Sequence, residues 1–356
     1  MILAATCGSE HNTGIIETEF MSMYVYQRCW LMLFALLTGG LLGACAAIPS
    51  SLPSTAVPQT TFPVAAPLAP PSPTGVPQPL VDGRRAVDIG GYALAINCTG
   101  KGTPTVVLES RLGANGSEWD TVQSKIMEVT RVCSFSRAGR GQSDASPYPR
   151  TSSQMAKELH TLLTNAGEVG PYILVGTSIT AWNTRLFAST YSDSTAGIVL
   201  ADATPPEIIE RWKALLPVES KDLPLGVARI WSVINRPASK TPEGMDIATS
   251  SDQARAAATP GQIPVIVLTH TQPDINALTP QIGDTPRGEL SNNGVADFPP
   301  ELLAQLEQVW QQLQQEQAQI SSEGQLVAVE SSHFMTGGKG AKAIIAAVQS
   351  LIEQSP

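Results

Sequence analysis

The chain has 356 residues, of which 42% are hydrophobic and 15% charged, enough apolar material for a sizeable core. Its net charge of −9 comes without a basic stripe, which argues against nucleic acid as a partner, because phosphates are neutralised by clustered Lys and Arg. There is no internal repeat, no metal-spaced Cys/His cluster and no P-loop glycine pattern, so neither a metal nor another cofactor is expected.

In chain order, the first feature is an apolar run over residues 29–44, preceded by Arg28. It is shorter than the roughly 20 apolar residues of a membrane span and fits the apolar region of a secretory signal, so 1–44 reads as a signal peptide. Glu10, Glu17 and Glu19 do not suit a positively charged leader, which points to Met21 or Met23 as the start. The run ends in Leu42-Gly43-Ala44-Cys45, which resembles the lipobox of bacterial lipoproteins. That resemblance implies lipidation at Cys45 and an exported protein, anchored to the membrane of the cell envelope. An ordinary signal peptide or an uncleaved anchor is the alternative. Residues 45–82 hold ten prolines between positions 49 and 79, among Ser, Thr and Ala. Such a segment builds no core and reads as a solvated tether, leaving 83–356 as the folded domain.

Within that domain, 86–97 reads as a strand pair turned at Gly90-Gly91. Strands are predicted at 104–109, 131–135, 172–175, 197–201, 263–269 and 325–329, and helices at 121–129, 152–166, after residue 178 to about 191, and 341–353. Alternation of this kind gives a mostly parallel sheet with helices on both faces, with chemistry gathered at the carboxyl ends of the strands. Cys98 and Cys133 are the two cysteines left beyond the leader and Cys45. Both fall at strand positions, and a pair in an exported protein suggests a disulfide; two small buried thiols is the rival reading.

Gly176-Thr177-Ser178-Ile179-Thr180 follows the apolar run Tyr172-Ile173-Leu174-Val175 and precedes a helix. A serine on a tight turn between a buried strand and a helix is held out of the sheet where a carbonyl can reach it. The helix N-terminus behind it favours developing negative charge. Of the four histidines, His333 alone stands just past the last strand, after Ser331-Ser332. His11 precedes the folded domain, His160 lies in a helical pattern, and His270 ends a strand as a plain loop residue.

Taken together, the Ser178 turn, Arg137-Ala138-Gly139-Arg140-Gly141-Gln142-Ser143-Asp144, residues 197–203 and the strand leading to His333 resemble the α/β-hydrolase fold family. The resemblance covers the whole chain after the tether. It implies Ser178 as nucleophile, His333 as general base and then acid, and Asp202 as the orienting carboxylate, with Asp274, after the seventh strand, as the alternative acid. It implies an oxyanion hole from the N–H groups of Leu112 and Ile179. It also makes the strands of Cys98 and Cys133 neighbours. Residues 205–262 would form a small helical cap rich in large apolar side chains, lining an apolar pocket above Ser178, with a long loop over 271–300 near the same rim. The sequence departs from the family at Thr180 and Arg111, where small glycines are usual. The function implied is a serine hydrolase acting on a small-molecule ester with an apolar acyl group. The alternative is a catalytically degenerate lipoprotein of this fold that binds a ligand or partner.

Overall fold

The structure is a computed structural model that describes residues 81–271 and 298–355. Cys45, Asp274, the leader and nearly all of the tether and of the 271–300 loop therefore lie outside the described residues.

Eight strands form one sheet in the order β1-β2-β4-β3-β5-β6-β7-β8. They are β1 (Gly83–Asp88), β2 (Ala93–Thr99), β3 (Thr105–Glu109), β4 (Val132–Phe135), β5 (Tyr172–Thr177), β6 (Thr195–Ala201), β7 (Val265–His270) and β8 (Gly324–Val329). Only β2 runs against its neighbours β1 and β4; every pairing from β4 to β8 is parallel. Strands β3, β5 and β7 are buried along their whole length. That explains their unbroken runs of Val, Ile and Leu in place of a polar alternation.

Helices α1 (Asp120–Ile126), α2 (Ser152–Asn165), α3 (Ala181–Thr190) and α8 (Gly338–Gln354) cover the two faces. One apolar cluster joins β2, β4 and β5 to α2 and α3, and another joins β3, β5 and β6 to α1 and α8. Helix α2 begins with a reciprocal cap: Thr151 accepts from the Gln154 N–H, and Gln154 accepts from the Thr151 N–H. Between β6 and β7 an insertion carries α4 (Ile208–Lys213), α5 (Leu225–Ile234) and α6 (Ile247–Ala256). Helix α6 sits on α2 through the Ser152 and Ser153 N–H groups, which donate to Ser250 and Gln253.

Two differences from the sequence reading matter for the site. Helix α7 (Pro300–Ala318), 19 residues long, had no counterpart in that reading. Its buried face mixes Leu306, Trp310 and Leu313 with Gln314 and Gln317, so the apolar period is interrupted by amides whose role is to hold other loops. His270 ends its strand as the sequence suggests, but it is no plain loop residue: it is fully buried, with its ring between Asp202 and Glu307.

Cys98 and Cys133 are directly opposed across the antiparallel β2–β4 pair, and their sulfurs are bonded.

Candidate active site

The turn after β5 places Ser178 at φ 52°, in the left-handed region, where a non-glycine residue is strained. Gly176 makes the turn possible. A Cβ there would lie 2.4 Å from the Thr184 hydroxyl and 2.9 Å from the Ala181 Cα, so a side chain would push the following helix off the strand. Thr180, in place of the usual glycine, is buried without disruption. Its hydroxyl lies 3.0 Å from the Ser110 carbonyl and 2.8 Å from that of Thr177, tying the Ser178 turn to the loop after β3.

Ser178, His333 and Asp202 come together at the carboxyl ends of β5, β8 and β6 and are all buried. His333 Nε2 lies 3.0 Å from Ser178 Oγ, and His333 Nδ1 lies 2.5 Å from Asp202 Oδ2. A carboxylate can only accept, so Nδ1 carries the proton and Nε2 is left to accept from the serine hydroxyl. That is the tautomer a general base needs. Asp202 also has a left-handed backbone, φ 47°.

Asp202 is shared with a second histidine. His270 donates through Nδ1 to Asp202 Oδ2 at 2.8 Å and through its backbone N–H to Oδ1 at 3.0 Å. Its Nε2 faces Glu307 of α7, 3.2 Å from Oε1. Two carboxylates on two ring nitrogens call for the imidazolium form. Burial by itself would lower the His270 pKa, but the bonds to Asp202 and Glu307 outweigh it and raise it to about 10. Burial would likewise raise Asp202, but the bonds from His270 and His333 prevail and bring it down to about 2. Helix α7 supports the arrangement with its amides. Gln311 Nε2 donates to the His270 carbonyl and to Glu307, and Gln314 and Gln317 both donate to the Ala203 carbonyl. Asp202, His270 and His333 have ligand-type atoms within 4.8 Å of one another. Both Nδ1 atoms are committed to one carboxylate oxygen and Nε2 of His270 to Glu307, so the set reads as a hydrogen-bonded relay, not as an open ligand set.

The expected oxyanion donors lie on the two loops flanking Ser178. The side chains of Leu112 and Ile179 pack in one apolar cluster with Trp182, Met245 and Ile247. Neither backbone N–H is used in a hydrogen bond among the described residues, which leaves both to a ligand. Arg111, where a small glycine is usual, turns its guanidinium to Glu118 at 3.0 Å and over the Phe334 ring, 4.7 Å from its centroid. Next to Ile179 is a small pocket walled chiefly by apolar side chains, including Trp182, Ile208, Trp212, Ile230 and Val233.

Comparison with known proteins follows the same lines. No family model matches the chain. Over 98 residues it is 34% identical to the uncharacterized protein YqjL of Bacillus subtilis (strain 168), a match covering 28% of this chain and 39% of that protein. Over 85 residues it is 36% identical to an AB hydrolase superfamily protein of Gibberella zeae, covering 24% of this chain and 26% of the other. The chain thus spans well under half the length of these curated relatives. Among solved structures, bromoperoxidase from Bacillus anthracis superposes with a TM-score of 0.50 at 14% identity, covering 76% of this chain and 100% of the other. With the strand order and the single antiparallel strand β2, these likenesses define the α/β-hydrolase fold.

Proposed function

We propose that the protein is a serine hydrolase that cleaves esters with an apolar acyl group through an acyl-enzyme at Ser178. The observation that carries the reading is the unbroken chain of hydrogen bonds from Ser178 Oγ through His333 to Asp202. It favours turnover over the alternative of a degenerate binding protein.

In this mechanism the Ser178 oxygen attacks the ester carbonyl while His333 Nε2 takes its proton. The carbonyl oxygen becomes an oxyanion facing the free N–H groups of Leu112 and Ile179. As the tetrahedral intermediate collapses, the C–O bond to the alcohol breaks and His333 gives its proton to the departing oxygen. Water repeats the sequence on the acyl-enzyme, with the acid product leaving and Ser178 recovering its proton. Asp202 stays ionised and balances the charge on His333. The apolar cavity takes the acyl chain, each buried methylene contributing about 0.8 kcal/mol.

The decisive assay is hydrolysis of p-nitrophenyl esters of increasing chain length by the wild type and by Ser178→Ala. Wild-type turnover that the substitution abolishes, with the fold intact by circular dichroism, supports the reading; equal rates in both proteins would end it.

We further propose that the protein is exported and held on the cell envelope by lipid at Cys45. The Leu42-Gly43-Ala44-Cys45 sequence supports this, as does the Cys98–Cys133 disulfide, a bond that persists in oxidising compartments.

A further inference from the structure

Among the described residues, three that are not glycine have a left-handed backbone: Ser178, Asp202 and Glu243. Strain of this kind gathers where geometry matters for function, and the first two are the nucleophile and the acid of the reading above. Glu243 belongs to the insertion, far from both in sequence, with φ 66° and a completely buried side chain. Its carboxylate reaches into the loop that follows β3. Oε1 accepts from the Gly113 N–H at 2.8 Å, and the same carboxylate takes a two-pronged contact from Arg137, Nε to Oε2 at 2.7 Å and NH2 to Oε1 at 2.9 Å. Arg137 in turn donates to the carbonyls of Ser110 and Arg111. Every residue of Ser110-Arg111-Leu112-Gly113 is thus gripped directly or flanked on both sides.

We propose that Glu243 is a positioning residue for the oxyanion loop: by holding the Gly113 amide and the Arg137 guanidinium, it fixes the intervening Leu112 N–H where the oxyanion forms. This rests on the serine-hydrolase reading. The insertion then completes the hole from outside as well as roofing the pocket. Its segment around Glu243 is itself locked to the body. Arg150 donates from its side chain to the Glu243 carbonyl and from its N–H to the Gly244 carbonyl, and its own carbonyl accepts from Asp246. Met245 and Ile247 then pack directly against the Leu112 and Ile179 cluster. Arg137 also faces Glu109, at 3.4 Å. That contact is longer than the two Arg137 makes to Glu243, at 2.7 and 2.9 Å, so Glu243 is the main partner of the guanidinium.

The test compares Glu243→Ala, Glu243→Gln and the double variant Arg137→Met/Glu243→Met with the wild type, all as the full folded domain. Kinetics on p-nitrophenyl butyrate, melting temperature and amide hydrogen exchange are measured for each. Glu243→Ala should lose about 100- to 1,000-fold in kcat, the range seen when an oxyanion donor is removed, with KM changed little. Exchange should rise at residues 110–114 while β3 and β5 stay protected. Glu243→Gln keeps an acceptor for Gly113 and should recover most of kcat. The double variant removes both buried charges and should recover the melting temperature without recovering kcat. Unchanged exchange at 110–114 in Glu243→Ala overturns the latch whatever the activity. A rise in exchange with kcat intact, or kcat returning together with the melting temperature in the double variant, overturns the positioning role. A wild-type protein with no esterase activity would instead count against the hydrolase reading, and the exchange measurement would still decide whether Glu243 holds the loop.

Discussion

Asp202 accepts from two histidines at once, and of these it is His333 that faces Ser178. Its replacement by Asn should cost about four orders of magnitude in kcat, by analogy with the loss of a triad aspartate, because His333 would lose both its orienting acceptor and its balancing charge. Asp274→Asn should cost far less, since His333 Nδ1 is already engaged by Asp202. Steady-state kinetics on the two variants decides between them; the reverse order would move the acid to the loop after β7.

His270 makes a separate prediction about pH. Its folded pKa of about 10 lies above the ordinary 6.5, so its contribution to stability is complete below pH 6.5 and disappears as the pH rises through 10. Asp202, lowered to about 2 from 3.8, contributes fully above pH 3.8 and loses that contribution as the pH falls through 2. Wild-type melting temperature should therefore decline between pH 6.5 and 10, and the decline should be shallower in His270→Asn, which keeps a donor for Asp202 but does not titrate. Parallel curves for the two proteins would remove His270 from the charge network. Ser178 and His333 are legible in the sequence because each stands just beyond an apolar strand. His270 is not, because a histidine at a strand end looks the same whether its ring is solvated or lies between two carboxylates, and one of those carboxylates, Glu307, is 37 residues away.

At the scale of elements, the central strands β3, β5 and β7 were readable from their apolar runs to within a few residues, since full burial on both faces leaves a continuous signal. Helix α7 was not, and it is the element that supports the acid side of the site. Its buried Gln314 and Gln317 are there to bond the Ala203 carbonyl, and buried amides resemble a solvated face until the loop they serve is in place. The grip of Glu243 on the loop after β3 was likewise invisible, since it links residues 130 apart. Pairing of β2 with β4 gives the next prediction. Cys98 and Cys133 close a loop of 35 residues, for which the chain-entropy relation gives about 3–4 kcal/mol. Reduction, or the double substitution Cys98→Ala/Cys133→Ala, should lower the free energy of unfolding by that order in urea titrations. An unchanged midpoint and slope would mean that the bond adds nothing to stability.

Over the whole molecule, the chain has an α/β-hydrolase fold, and the proposal of export rests on the sequence that precedes it. The fold was legible because its signals, a serine turn, a glycine loop and a terminal histidine, occur in the right order along one alternating pattern. The proposed anchoring rests on a separate stretch, the first 45 residues. If the proposal holds, Cys45→Ser should shift the protein from the membrane to the soluble fraction, or block its processing, in fractionated cells, because the acyl chains that would anchor it have no other attachment point. A variant that stays membrane-bound at the wild-type level would favour an uncleaved helix. The central claim, that Ser178 is an activated nucleophile, is tested most directly by mass spectrometry of the protein after reaction with a fluorophosphonate. The expected result is one adduct on Ser178, lost in Ser178→Ala and strongly slowed in Asp202→Asn. No adduct on the wild type, or a modification at another residue that survives Ser178→Ala, would contradict it.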